Sequence, residues 1–159
     1  MKKILGLIRI RDFEQVIMGM IQRLINGDCF TTKFAAVQLF PCVYTHVSAA
    51  NQQELMKMYD VLSKDETPQV RKQAAIVLND MIKLIPKVSE TELLNIFSRF
   101  YKDEQDTVRM QGIDSCVCFA HQLPPAKVTA FLLPYIKKFA DDKSWRIRYL
   151  IADKIMDLA

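Results

Sequence analysis

Residues 142–149 read Asp142-Lys143-Ser144-Trp145-Arg146-Ile147-Arg148-Tyr149, and the skeleton of this stretch occurs twice more in the chain. The earlier copies are Asp65-Glu66-Thr67-Pro68-Gln69-Val70-Arg71 and Asp103-Glu104-Gln105-Asp106-Thr107-Val108-Arg109. In each copy an Asp is followed five positions later by a β-branched residue and six positions later by an Arg, and the copies start 38 and 39 residues apart. A polar turn that recurs at a fixed period between apolar helical patterns predicts a repeat architecture.

The composition favours a helical protein with a continuous core. Half of the 159 residues are hydrophobic, whereas Gly (4) and Pro (6) are scarce, so loops are expected to be few and short. Sheet proteins need more turn residues than this. The 22 basic and 18 acidic residues are interleaved and leave a formal net charge of +4. Because a nucleic-acid-binding face needs a basic stripe, we expect no nucleic-acid partner.

The sequence offers no metal site, membrane segment or catalytic motif. The four cysteines form no C-x-x-C pair, so we expect free thiols that pack as small hydrophobic groups in a reducing compartment. The apolar run near the N-terminus ends at Arg9, which is too early for a signal peptide, and no run reaches transmembrane length. Neither a Ser-His-Asp order nor a phosphate loop is present. We expect a cytoplasmic protein, with the nucleus as a second compartment, that is not an enzyme and needs no cofactor.

Helical periodicity divides the chain into four pairs of helices. Apolar residues recur at spacings of three and four in pairs over 12–46, 48–85, 89–123 and 125–158, and residues 1–11 form an arm or part of a helix. Pro41 and Pro134 lie inside helical patterns, where proline kinks or ends a helix. Gly112 stands where the preceding pair has Ala74, which predicts a close approach of helices. Because the linkers are too short to separate domains, we predict one all-α solenoid over 1–159.

A helix pair of 38–39 residues with this turn resembles a HEAT repeat. The resemblance implies antiparallel helix pairs in a right-handed superhelical stack. It also implies a ladder of ion pairs in which the Asp of one repeat meets the Arg of the next. The residues that match this ladder are Asp65, Arg71, Asp103, Arg109, Asp142 and Arg148. The first unit departs from the pattern, because Asn26 aligns with the Asp and Thr32 with the Arg.

The ordered set of turns is similar to the N-terminal half of the scaffold (A, or PR65) subunits of protein phosphatase 2A, over about residues 12–159. The resemblance implies a non-catalytic scaffold whose turns form a ridge that holds a B-type regulatory subunit. Carried over by position, the contact residues are Phe30, Asp65, Thr67, Pro68, Lys72, Ser144, Trp145 and Arg146. In the family, the repeats that hold the catalytic subunit lie further towards the C-terminus. The catalytic subunit is therefore expected to bind only if further repeats follow.

Two features of the sequence allow more than one interpretation. Trp145 beside Arg146 at a helix start is the residue combination enriched in binding hot spots, but Trp145 could instead pack onto its own repeat. The recurring Arg residues could form a basic binding row rather than a ladder. The chain could also be a different HEAT array, such as a transport receptor or a nucleic-acid-binding solenoid. The latter would bind DNA or RNA with an affinity that falls steeply with salt.

Overall fold

The computed structural model describes residues 10–84 and 90–158, which form pairs of helices joined by short turns. The first three pairs are α1 (Ile10–Ile25) with α2 (Phe30–Tyr44), α3 (Ala49–Leu62) with α4 (Pro68–Leu84), and α5 (Glu90–Tyr101) with α6 (Asp106–Gln122). In the fourth pair, α7 (Pro125–Lys127), a π-helical segment (Val128–Leu132) and α8 (Leu133–Ala140) lead to α9 (Trp145–Asp153). A 3₁₀ turn, Ile155–Leu158, follows. The described residues contain no strand, so the all-α prediction is confirmed.

The ends of some predicted units differ from the structure or lie outside it. Of the predicted arm over 1–11, residues 10 and 11 belong to α1, and the rest lies outside the described residues. The expected end of the second unit at Ile85 and the start of the third at Ser89 also lie outside them. None of the described helices is long and apolar enough to cross a bilayer.

The second helices of the pairs form a continuous inner row. Helix α4 packs against both α2 and α6, and α6 packs against α9. The largest side chains that are fully buried come from all four pairs and include Phe40, Tyr59, Leu78, Phe97 and Phe139. Burying a side chain of this size contributes roughly 1.5–3 kcal/mol, so each pair depends on its neighbours for most of its core.

The two internal prolines are accommodated differently. Helix α2 continues through Pro41 to Tyr44, so of the two expected effects of this proline, an end or a kink, the end does not occur. The last turn of α2 buries Val43 and Tyr44, and this burial outweighs the lost backbone hydrogen bond. Pro134 lies in the first turn of α8, directly after the π-helical segment. A π-helical segment shifts the backbone hydrogen-bonding pattern, and this places Pro134 at a helix start where its missing N–H is tolerated.

The cysteines are free, but only one of them is fully buried. Cys116 lies in the core, and burial raises the pKa of its thiol. Cys118 is half-buried, whereas Cys29 and Cys42 are exposed. The expectation that all four pack as small hydrophobic groups is therefore wrong for Cys29 and Cys42. Cys29 occupies the turn before α2, where the backbone leaves the core, and Cys42 lies on the outer face of that helix.

Gly112 and Gly19 should respond in opposite ways to replacement by alanine. A Cβ at Gly112 would lie 3.1 Å from Cζ of Phe139, a fully buried ring that packs edge-on against Tyr101 and has little room to move. We expect Gly112→Ala to destabilise the chain by about 1 kcal/mol, because overpacking outweighs the gain in helix propensity. Gly19 has nothing within 4 Å of its Cβ position, so Gly19→Ala should stabilise by about 0.5–1 kcal/mol. Urea unfolding of both variants checks this, and a stabilised Gly112→Ala chain would contradict the close approach.

Candidate partner-binding ridge

The same hydrogen bonds build the turns of the second, third and fourth repeats. In each turn the Asp carboxylate accepts a hydrogen bond from the backbone N–H two residues later, at 2.8–3.0 Å, in the pairs Asp65–Thr67, Asp103–Gln105 and Asp142–Ser144. The Arg six residues after the Asp donates from Nη1 to the two backbone carbonyls at the start of the turn. These distances lie between 2.7 and 3.2 Å. The spacing of six residues is therefore what lets the Arg brace its own turn.

The Arg of one repeat also pairs with the Asp of the following repeat. Arg71 donates from Nε and Nη2 to Asp103 at 2.6 and 3.0 Å, and Arg109 donates to Asp142 at 2.9 Å through both nitrogens. The expected ladder had the opposite order, with the Asp of one repeat meeting the Arg of the next. The order is reversed because Nη1 is held by the Arg's own turn, which leaves the Nε–Nη2 edge facing the next repeat. We call this set of pairs the seam.

The seam begins in the first repeat, through a lysine. Lys33 Nζ lies 2.8 Å from Asp65 Oδ2, and the Asp65 side chain is only 7% exposed. The alignment of Thr32 with the Arg is therefore off by one residue. Helix α2 begins at Phe30 as α4 begins at Pro68, so Lys33 occupies the position of the Arg. A lysine supplies a point charge instead of the two-pronged bond that an arginine makes.

The electrostatic environment of the seam lowers the pKa values of Asp65 and Asp142. Burial acts to raise the pKa of Asp65, but hydrogen bonds from Lys33 and from the Thr67 N–H outweigh burial and lower it. The pKa of Asp142 is likewise lowered, because the bonds from Arg109 and from the Ser144 N–H outweigh its burial. These carboxylates therefore have a structural role, because basic side chains and backbone N–H groups already bind them.

Arg148 is the last seam arginine in the described residues. It makes the two carbonyl bonds of its own turn, like Arg71 and Arg109, and its side chain is exposed. No carboxylate within 10–84 or 90–158 pairs with its guanidinium. Arg148 is therefore a chemically matched reference for Arg109, which makes the same turn bonds and is also buried against Asp142.

The candidate contact residues differ in how far they are accessible. Trp145 is 65% exposed and Phe30 is 47% exposed, and Lys72 and Arg146 are exposed as well. Thr67, Pro68 and Ser144 are half-buried. Asp65 lies beneath Lys33, so its carboxylate belongs to the seam and is not offered to a partner. The seam pairs place successive turns side by side, and we call the surface along these turns, with Phe30, Thr67, Pro68, Lys72, Ser144, Trp145 and Arg146, the ridge.

An aromatic and cationic cluster lies at the fourth turn of the ridge. The Arg146 guanidinium carbon is 5.7 Å from the centre of the Trp145 ring, within the range of a cation–π contact. Tyr149 lies one helical turn after Trp145 and is 67% exposed. Sequence reasoning did not select Tyr149, although its spacing of four residues from Trp145 places both rings on the same face of α9. Trp145 therefore does not fold away into its own repeat.

A charged cleft separates the second and third turns of the ridge. Its volume is about 450 Å³, and its rim carries Lys64 and Glu66 from one turn and Lys102 and Glu104 from the next. The fourth turn reverses this order, with an acidic residue at Asp141 and a basic one at Lys143. The ridge therefore carries both basic and acidic residues, in a defined order along its length.

These features define a helical-repeat solenoid with a bonded seam and an exposed ridge. The crystal structure of Cex1p is similar to this chain with a TM-score of 0.83, and the similarity covers 98% of this chain and 31% of that one. At 16% sequence identity, the likeness shows the fold alone.

The sequence relatives identify the family, although no family model matches the chain. A probable serine/threonine-protein phosphatase PP2A regulatory subunit of Caenorhabditis elegans is 35% identical over 122 residues, which is 76% of this chain and 21% of the relative. The regulatory A subunit of protein phosphatase PP2A from Schizosaccharomyces pombe is 30% identical over 149 residues, or 92% of this chain and 25% of the relative. The chain belongs to this family of regulatory A subunits and spans about a quarter of the length of these relatives.

Proposed function

We propose that the chain is a non-catalytic scaffold that binds a B-type regulatory subunit of a phosphatase 2A-type enzyme through its ridge. One observation carries the proposal. In this chain, which belongs to the family, Trp145 is exposed beside Arg146 at a turn. Trp, Tyr and Arg are the residues most enriched among binding hot spots, and Tyr149 adds a second exposed ring to the same face. A binding partner would remove these rings from water.

The charges of the ridge support a protein partner over a nucleic acid. Nucleic-acid binding requires a surface of one sign that neutralises successive phosphates. On the ridge, Glu66 and Glu104 alternate with lysines, and the seam cations Lys33, Arg71 and Arg109 are already paired with carboxylates. A partner protein can match such a mixed sequence of charges, and charge matching favours specificity and fast association.

The seam carboxylates also support a non-catalytic role. Asp65 and Asp142 each accept a backbone hydrogen bond and face a basic side chain, and both have lowered pKa values. A general acid or base near neutral pH would need a raised pKa and a free approach for substrate. For a catalytic subunit, we propose binding only where further repeats follow the fourth one.

Co-purification from native extract, followed by mass spectrometry, tests the proposal. The chain and its Trp145→Ala/Arg146→Ala variant serve as matched baits. We expect the parent chain to recover a phosphatase regulatory subunit, whereas the variant should lose it. Recovery of nucleic acid or of transport cargo by both baits would instead favour a different HEAT-type array.

A further inference from the structure

Asp106 links the third repeat to the aromatic and cationic cluster of the fourth. Its Oδ2 accepts a hydrogen bond from Ser144 Oγ at 3.1 Å and another from Arg146 Nη1 at 3.3 Å. Both donors lie on the next turn of the ridge. Asp106 has no place in the seam, where the carboxylates of Asp103 and Asp142 already serve the third and fourth repeats.

The position of Asp106 in its repeat is unusual for this chain. It is the first residue of α6, as Phe30, Pro68 and Trp145 are the first residues of α2, α4 and α9. The other three repeats therefore have an apolar residue where the third repeat has a carboxylate. Asp106 and Trp145 occupy equivalent positions in adjacent repeats. The carboxylate of Asp106 can therefore reach Arg146, which follows Trp145.

The bonds to the fourth turn keep Asp106 ionised. The hydrogen bond from the Ser144 hydroxyl has the largest effect and lowers the pKa of Asp106. Burial opposes this effect, and the hydrogen bond and charge of Arg146 lower the pKa further. The Asp106 side chain is 27% exposed and that of Arg146 is 57% exposed, so the pair stands at the surface of the ridge. A surface ion pair of this kind adds little to folding stability. What the pair affects is the orientation of the Arg146 side chain.

We propose that Asp106 is a positioning residue for the contact surface. It holds the Arg146 guanidinium beside the Trp145 ring, so that the pair is ordered before a partner arrives. This inference rests on the proposed function, in which Trp145 and Arg146 contact a regulatory subunit. Ordering a long side chain in advance removes part of the entropy cost of binding. Losing this order should weaken the affinity by about two- to tenfold, the cost of immobilising one such side chain.

An electrostatic alternative makes the opposite prediction. If Asp106 only adds negative charge near a cationic cluster that receives an acidic partner surface, removing the carboxylate should strengthen binding. The sign of the change therefore separates positioning from simple repulsion. Asp141 provides the matched control, because it is an exposed carboxylate next to the same turn and makes no bond to Arg146 among the described residues.

Two measurements on the intact chain test the inference. Trp145 is the only tryptophan, so fluorescence anisotropy without any partner reports directly on its mobility. We expect Asp106→Ala to lower the anisotropy, Arg146→Ala to lower it by a similar amount, and the double variant to lower it no further. Asp106→Asn should fall between the parent and Asp106→Ala, since the amide oxygen can still accept both hydrogen bonds. Asp141→Ala should leave the anisotropy unchanged.

The second measurement is the Kd for a purified regulatory subunit. We expect Asp106→Ala to raise the Kd about two- to tenfold, and Asp106→Asn to raise it by less, because the amide oxygen still accepts hydrogen bonds. Unchanged anisotropy in Asp106→Ala overturns the inference, as does tighter binding. If Trp145→Ala binds as tightly as the parent chain, the proposed function fails instead, and the anisotropy alone still decides whether Asp106 orders Trp145.

Discussion

Replacing Arg109 with alanine is expected to lower the free energy of unfolding by about 3–5 kcal/mol. The Arg109 side chain is 5% exposed and that of Asp142 is 9% exposed, so the variant leaves a buried carboxylate without its cation. The two carbonyl bonds that brace the third turn are lost as well. Because Arg109 joins the third repeat to the fourth, we expect the fourth repeat to unfold first.

Arg148→Ala is the matched control for this prediction. Arg148 makes the same two carbonyl bonds but is exposed, so its removal should cost no more than about 1 kcal/mol. Urea unfolding is followed by circular dichroism for the whole chain and by Trp145 fluorescence for the fourth repeat. In Arg109→Ala, the fluorescence transition should precede the loss of helix. Equal losses of stability in the two variants would show that the Arg109–Asp142 pair does not hold the repeats together.

Replacing both Trp145 and Arg146 with alanine is expected to weaken the binding of a regulatory subunit, with a Kd raised about thirtyfold or more. A hot-spot side chain contributes about 2 kcal/mol or more, and the two contributions need not add. The helical circular dichroism should stay unchanged, because Trp145 is 65% exposed and the Arg146 side chain is 57% exposed. The loss of binding would then result from the altered contact surface and not from unfolding.

Phe131→Ala controls for the removal of any exposed ring from the fourth repeat. Phe131 is 47% exposed and lies in the π-helical segment, more than ten residues before the turn that carries Trp145. We expect its replacement to leave the Kd within about twofold of the parent value, as for a contact outside the hot spot. Isothermal titration with purified subunits measures both variants, and equal binding by the double variant would remove the basis for the ridge as the binding surface.

The period of the turns allowed most of the fold to be predicted from the sequence. The Asp and Arg six residues apart recur because each Arg braces its own turn, and this local requirement is visible in a single chain. The order of the seam was not predictable in the same way. It depends on which edge of the guanidinium remains free after Nη1 is bound, and that is a property of the three-dimensional turn.

The first repeat shows why local signals can fail at a helix start. Cys29 precedes α2 without making a side-chain cap hydrogen bond, so the sequence gives no clear sign that the helix begins at Phe30. A shift of one residue concealed the role of Lys33. Asp106 was missed for a different reason, since its partners Ser144 and Arg146 lie 38 and 40 residues away. Comparing equivalent positions of adjacent repeats, rather than neighbours in sequence, would have found it.

Fluorine NMR of the chain carrying fluorotryptophan tests the central claim most directly. Trp145 is the only tryptophan, so the labelled chain gives a single resonance from the proposed contact surface. On addition of an equimolar unlabelled regulatory subunit, we predict that this resonance shifts or broadens as the ring leaves water. A complex that forms by sedimentation while the resonance stays unchanged would contradict the assignment of the ridge as the binding surface.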